Sequence, residues 1–260
     1  QLDMDRLDYL RRDSFFTGVS EGVVGSDRII KMLHVVNDEL AIAHKGIYSI
    51  EKFIEARRIM YWQVYLHKAV LSAENLLTQI LKRAKELAKR EDYVFATPSF
   101  KRFLTSDFTV EDFRNDPSVL NDFSKLDDFD VLTCIKVWAE EAEPVLAELS
   151  KYLVNRKLLK VVFLDQPKSD AVMNVLLDEL SSLKGITKDE ASYFIFQDKI
   201  TNNAYDPSKD RINIVYRDGT VKDLVDAADT LNISSLSKTV EKHFLCVPLE
   251  MRYRLNEDGA

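Results

Sequence analysis

The sequence predicts a mainly helical protein that ends in a small α+β unit, and two observations carry this. Apolar residues recur at helical spacing through much of the first 150 residues, whereas beyond about 155 short β-branched and aromatic runs alternate with an amphipathic helix. The expected division is a helical portion over 1–90, a helical extension over 91–154 and the α+β unit over 155–260.

Taken in order, residues 3–13 (DMDRLDYLRRD) read as helix, followed by a loop in which Gly18, Gly22 and Gly25 supply backbone freedom. Ser26 is placed as the cap of a helix through Val36, with Ile29, Ile30, Met32 and Leu33 on its apolar face. Glu39–Tyr48 alternates around His44-Lys45-Gly46 and predicts a hairpin there. Ser49 then caps a long helix to about Arg90, its stripe running from Phe53 and Ile54 through Leu71, Leu76 and Ile80 to Leu87. Residues 91–130 predict short helices packed by phenylalanines, with Thr109 as one cap. Residues 130–150 are helical in period, with Pro144 at a break or first turn. In the last part, 158–164, 192–197 and 211–216 read as strands. A helix from about 170 stops at Gly185, another runs from Ser234 or Ser235 to His243, and Phe244–Val247 forms a closing strand.

Composition sets limits on function. With 46% hydrophobic residues in 260, the chain buries a core, and no apolar run is long enough to span a membrane. A cytoplasmic protein is expected. A net charge of −7 argues against an extended nucleic-acid surface, which needs clustered cations, but not against a small anion in a local basic pocket. Cys134 and Cys246 have no CxxC spacing and no neighbouring histidine, so buried reduced thiols are expected.

Two groups of residues carry chemistry. Asp5, Tyr9 and Asp13 stand at i, i+4 and i+8, which places a carboxylate, a phenol and a second carboxylate along one helix face. Such a row either ligates a metal and touches a sugar or is a solvated face, and Arg6 and Arg12 beside it either neutralise phosphate or form helix salt bridges. In MYWQVYLHK at 60–68, Gln63 and His67 are i, i+4 neighbours among Tyr61, Trp62 and Tyr65. This cluster reads as aromatic packing around a satisfied histidine or as the wall of a nucleotide pocket. No phosphate-loop, dinucleotide or HExxH motif occurs, and His34, His44, His67 and His243 form no metal site by spacing.

The run LDMDRLDYLRRDSFFTGV, followed by YWQVYLHK at 61–68, resembles the HD-domain phosphohydrolases, in particular the deoxynucleoside triphosphate triphosphohydrolase branch. The resemblance covers residues 1 to about 90 best and implies a partial HD-type helical bundle. It implies a divalent metal (Mn, Mg, Fe, Zn or Ni) held by a histidine, an adjacent His-Asp pair and a final aspartate, the last matched by Asp5. The other three ligands are expected upstream of this chain, whose first residue is Gln. By the same resemblance Arg6 lies near the triphosphate, Tyr9 lines the sugar and phosphate site, Asp13 contacts the 3′-hydroxyl and His67 is a pocket histidine. Gln63 stands where SAM-and-HD-domain members carry a phosphate-binding arginine, and Arg28 lies near an allosteric nucleotide site. The implied activity is hydrolysis of dNTPs to deoxynucleoside and triphosphate, in a homo-oligomer that binds a regulatory nucleotide. This chain alone is expected to be inactive. The rival readings are an HD hydrolase of another nucleotide phosphate ester and a non-catalytic regulatory or scaffold protein.

Overall fold

A computed structural model of the chain describes residues 2–202, 205–206, 211–228 and 239–255. In chain order it forms α1 (Met4–Thr17), α2 (Ser26–Lys31), β1 (Leu33–Val36), β2 (Glu39–Ala43), α3 (Ile47–Met60), α4 (Lys68–Lys89) and α5 (Pro98–Thr105). Next come α6 (Val110–Asn115), α7 (Pro117–Phe123), α8 (Asp128–Glu141), α9 (Pro144–Val154), β3 (Lys160–Leu164), α10 (Asp170–Lys184) and α11 (Lys188–Ala191). The last elements are β4 (Phe196–Asn202), β5 (Asn213–Val215), β6 (Val221–Asp223), α12 (Leu224–Ala227) and β7 (Val240–Val247). The protein is mainly helical with two small sheets, as its sequence predicts. Its contacts divide it into two compact units, Gln1–His67 with Lys199–Lys242 and Lys68–Asp198 with His243–Ala260. These boundaries fall elsewhere than residues 90 and 154, because the first unit recruits strands from late in the chain.

The first unit centres on a four-stranded sheet in the order β1-β2-β5-β6. β1 and β2 are antiparallel, β2 and β5 parallel with Ile42 opposite Ile214, and β5 and β6 antiparallel. Its core joins Leu7 and Leu10 of α1, Ile29 of α2, Ile50, Phe53 and Ile54 of α3, and Tyr205, Ile212, Ile214 and Leu224 from the late segment. Asp3 caps α1 by accepting from the Arg6 backbone N–H at 2.7 Å, and Gly18 ends the helix at φ +73°. α1 therefore runs past Asp13 through Phe15 and Phe16, which the sequence assigns to a loop.

Two further expectations fail within this unit. The helix from Ser26 stops at Lys31 with Gly25 as its cap, and 33–36 is strand, so the hairpin turns at Asn37-Asp38 instead of His44–Gly46. Both turn residues have positive φ (52° and 64°), the conformation a two-residue hairpin needs and one that Asn and Asp tolerate. The helix predicted from Ser49 to Arg90 starts at Ile47 and is interrupted. After Met60 a π-helical turn spans Tyr61–Tyr65, with Leu66 N–H donating to Tyr61 C=O at 2.7 Å, and α4 begins only at Lys68. Aromatic and β-branched residues at 61–65 favour helix weakly, so tertiary packing decides the path there.

The second unit is built on α4, whose Leu71, Leu76, Ile80, Ala84 and Leu87 are buried. α8 and α9 pack as a pair, with Pro144 in the first turn of α9, and Thr109 caps α6 as expected. Trp138 is buried and donates from Nε1 to the Phe95 carbonyl at 2.8 Å. The three-stranded sheet has the order β3-β7-β4, and Gly185 (φ +66°) stops α10. The strand expected at 192–197 begins only at Phe196, because the Thr187–Glu190 capping box starts α11 just before it. Of the helix expected to reach His243, residues 240–243 belong to β7 and 234–238 lie outside the described residues. Cys134 and Cys246 are both free and buried.

Candidate active site

Asp5, Tyr9 and Asp13 all lie on α1, while Leu7, Leu10 and Ser14 bury the other side of that helix. Asp13 is half-buried and accepts a hydrogen bond at its Oδ2 from the Tyr65 hydroxyl at 2.7 Å. The Tyr9 ring meets the Tyr65 ring edge-on, centroids 5.9 Å apart, and Tyr61 meets Tyr65 edge-on at 5.2 Å. The Arg57 guanidinium lies 5.5 Å over the Tyr61 ring. These contacts match two rows at the same spacing. Of the row Asp5-Tyr9-Asp13 on α1, Tyr9 and Asp13 are met by Tyr61 and Tyr65 of the row Arg57-Tyr61-Tyr65, which runs from α3 into the π-helical turn.

The electrostatics divide the wall into two ends. Burial, then the neighbouring Tyr61, raises the pKa of Tyr9, while Arg57 and Arg6 oppose the rise, so both cations act on the Tyr9 phenol. Burial also raises the pKa of Tyr65, with its bond to Asp13 next in weight, which keeps this phenol a protonated donor. Asp13 is left with one oxygen held and with Oδ1 unpartnered among the described residues. Arg6, paired with Asp3, and Arg57 therefore lie toward one end of the wall beside the exposed Asp5, and the second Asp13 oxygen lies at the other, about 10 Å from Arg6 at the usual rise of a helix.

Asp5 is exposed and pairs with nothing among the described residues. No group of three or more His, Cys, Asp or Glu that could hold a metal ion occurs among those residues, so Asp5 alone does not make a metal site. Arg6 is half-buried and its guanidinium pairs with Asp3. His67 is exposed, just beyond the π-helical turn, and the contacts to Tyr9 and Asp13 come from Tyr61 and Tyr65 instead. Gln63 is also exposed. Arg28 is exposed and donates to the Lys45 carbonyl at 3.1 Å. Lys45 lines a groove of about 700 Å³ with His34, His44, Tyr216 and Arg217. There the His44 ring stacks on Tyr216 with centroids 4.4 Å apart, and the Lys222 ammonium lies 5.4 Å from the Tyr216 ring. Sequence reasoning did not single out Arg57 or the Tyr65–Asp13 pair, although the repeated i, i+4, i+8 spacing was the available signal.

Comparison with known proteins bears on this geometry. Residues 24–96 match the HD associated region, a stretch that contains Arg57, Tyr61, Tyr65 and His67. The crystal structure of a phosphohydrolase from Bacteroides thetaiotaomicron is 50% identical, with a TM-score of 0.87, over 95% of this chain and 61% of that one. The chain is related to HD-type phosphohydrolases. Uncharacterized protein YwfO of Bacillus subtilis is 33% identical over 233 residues, 86% of this chain and 50% of that protein. The deoxynucleoside triphosphate triphosphohydrolase SAMHD1 homolog of Dictyostelium discoideum is 30% identical over 91 residues, 35% of this chain and 18% of that protein. The chain thus spans about half the length of the Bacillus relative. Among the described residues no helix is long and apolar enough to cross a membrane.

Proposed function

We propose that the complete protein hydrolyses deoxynucleoside triphosphates to deoxynucleoside and triphosphate, and that this chain supplies the wall that holds sugar and phosphates. The observation that carries the reading is the bipolar tyrosine wall, with Arg6 and Arg57 acting on Tyr9 at one end and Asp13 held by Tyr65 at the other. A nucleotide matches both ends, anionic where the cations lie and hydroxyl-bearing where the acceptor lies. Asp13 accepts from the 3′-hydroxyl and is left with an unpaired acceptor oxygen by a substrate without one, while Tyr9 and Tyr65 pack on the sugar and exclude a 2′-hydroxyl by contact. Arg6 and Arg57 disperse phosphate charge, which favours the transition state when the site excludes water. The name of the Dictyostelium relative supports a deoxynucleoside triphosphate over other phosphate esters.

Asp5 would serve as one ligand of a divalent metal whose other donors come from outside the described residues. A regulatory nucleotide would take the groove beside Arg28, which offers the stacked His44–Tyr216 ring pair with Lys45, Arg217 and Lys222 around it. Self-association would use Phe15 and Phe16 of α1, which are exposed beside Arg11 and Arg12. The test is full-length protein with Mn²⁺ against a panel of nucleotides, products separated by ion exchange. Deoxynucleoside plus intact triphosphate is expected; release of inorganic phosphate, or no turnover of any dNTP, overturns the reading.

A further inference from the structure

The Tyr65–Asp13 contact has features of a device that orients a carboxylate. It joins residues distant in sequence at 2.7 Å, within the range of a charge-assisted O–H···O bond. Tyr65 is fixed on its other sides by edge-on contacts with Tyr9 and Tyr61. It also closes the π-helical turn between α3 and α4, and such turns concentrate at functional sites. A carboxylate on a helix otherwise turns freely about its terminal torsion, which is broad and two-fold. With Oδ2 held by the phenol, Asp13 presents Oδ1 in one direction.

We propose that Tyr65 is a positioning residue that makes Asp13 selective for a sugar hydroxyl. The inference rests on the dNTP reading above and adds to it the origin of 3′-hydroxyl discrimination. A dideoxy sugar leaves Oδ1 desolvated and unpaired, and the cost is largest when the oxygen cannot swing away. Removing the phenol hydroxyl frees the carboxylate to rotate toward water, and the penalty against the dideoxy substrate shrinks.

The experiment measures kcat/KM of the full-length protein for a 2′-deoxynucleoside triphosphate and its 2′,3′-dideoxy counterpart, in the wild type, Tyr65→Phe and Asp13→Asn. Phenylalanine keeps the ring contacts, so general damage lowers both values together and leaves their ratio alone. The expected result is a roughly tenfold fall in the deoxy-to-dideoxy ratio in Tyr65→Phe, the scale of one charge-assisted hydrogen bond. In Asp13→Asn the ratio falls too, and adding Tyr65→Phe to it changes the ratio no further. A wild-type ratio retained in Tyr65→Phe, or equal effects of Tyr65→Phe with and without Asp13, overturns the role of Tyr65. A wild type that turns over no deoxynucleoside triphosphate overturns the functional reading and this inference with it.

Discussion

At the scale of single residues, buried polar groups are stable here where each finds a partner. Tyr205 is fully buried, donates to Asp223 Oδ2 at 2.7 Å and accepts from the Ile212 backbone N–H at 2.9 Å. Tyr205→Phe leaves that N–H unsatisfied and Asp223 Oδ2 with only Arg211 at 3.9 Å among the described residues, while Oδ1 keeps the Val225 backbone N–H, so a loss of about 1–3 kcal/mol is expected in urea unfolding. Arg83, 4% exposed, holds Glu143, Glu86 and Glu190 together. Glu86 is kept below the usual carboxylate range by the Tyr193 hydroxyl and then by Arg83, and Glu190 by the Thr187 backbone N–H with Arg83 contributing. Carboxyls with lowered native pKa add stability that is complete above the unfolded value of about 4.3 and is lost as pH falls through the native values. Arg83→Met is expected to cost about 2–3 kcal/mol at neutral pH, below the full buried-pair figure because the carboxylates keep some solvent, and to flatten the acid limb below about pH 4. A pH series of unfolding midpoints checks this; an unchanged acid slope counts against it.

At the scale of elements, short-range signals set most boundaries. Asp127 caps α8 in a capping box with Asp130, and Asp127→Ala is expected to cost about 1 kcal/mol, seen as a fall in Tm of about 2–4 °C by calorimetry. Gly46 joins β2 to α3 in a tight space. A Cβ there stands 2.9 Å from Met32 Cβ and 3.0 Å from Ile42 Cγ2, atoms that cannot swing aside without moving β2 or the end of α2. Gly46→Ala therefore overpacks the junction by about 1–3 kcal/mol. If denaturation shows no loss, the junction is looser than its contacts imply.

At the scale of the whole molecule, the first unit depends on residues far apart in the chain. Every residue of the candidate site lies before His67, yet the core beneath α1 includes Tyr205, Ile212, Ile214 and Leu224. Protein ended after Asp198 keeps all the site residues but loses β5 and β6 from the four-stranded sheet. Amide exchange is expected to show α1 unprotected in that truncation, and full protection there would refute the dependence.

Much of this was legible in the chain. The i, i+4, i+8 row on α1, the Thr109 cap, Pro144 at a first turn and the Gly185 stop follow from local geometry, which acts over a few residues and leaves its mark in them. The Asn37-Asp38 turn was readable too but competed with a helical period that ran on into Val36. By itself the sequence determined the helical class, the closing α+β texture and which face of α1 carries polar groups. Only the tertiary structure decided that 61–65 leaves the α path, that Tyr65 reaches Asp13 and that β5 pairs with β2. Those outcomes depend on contacts between distant residues, where burial outweighs local propensity and no short spacing announces the partner.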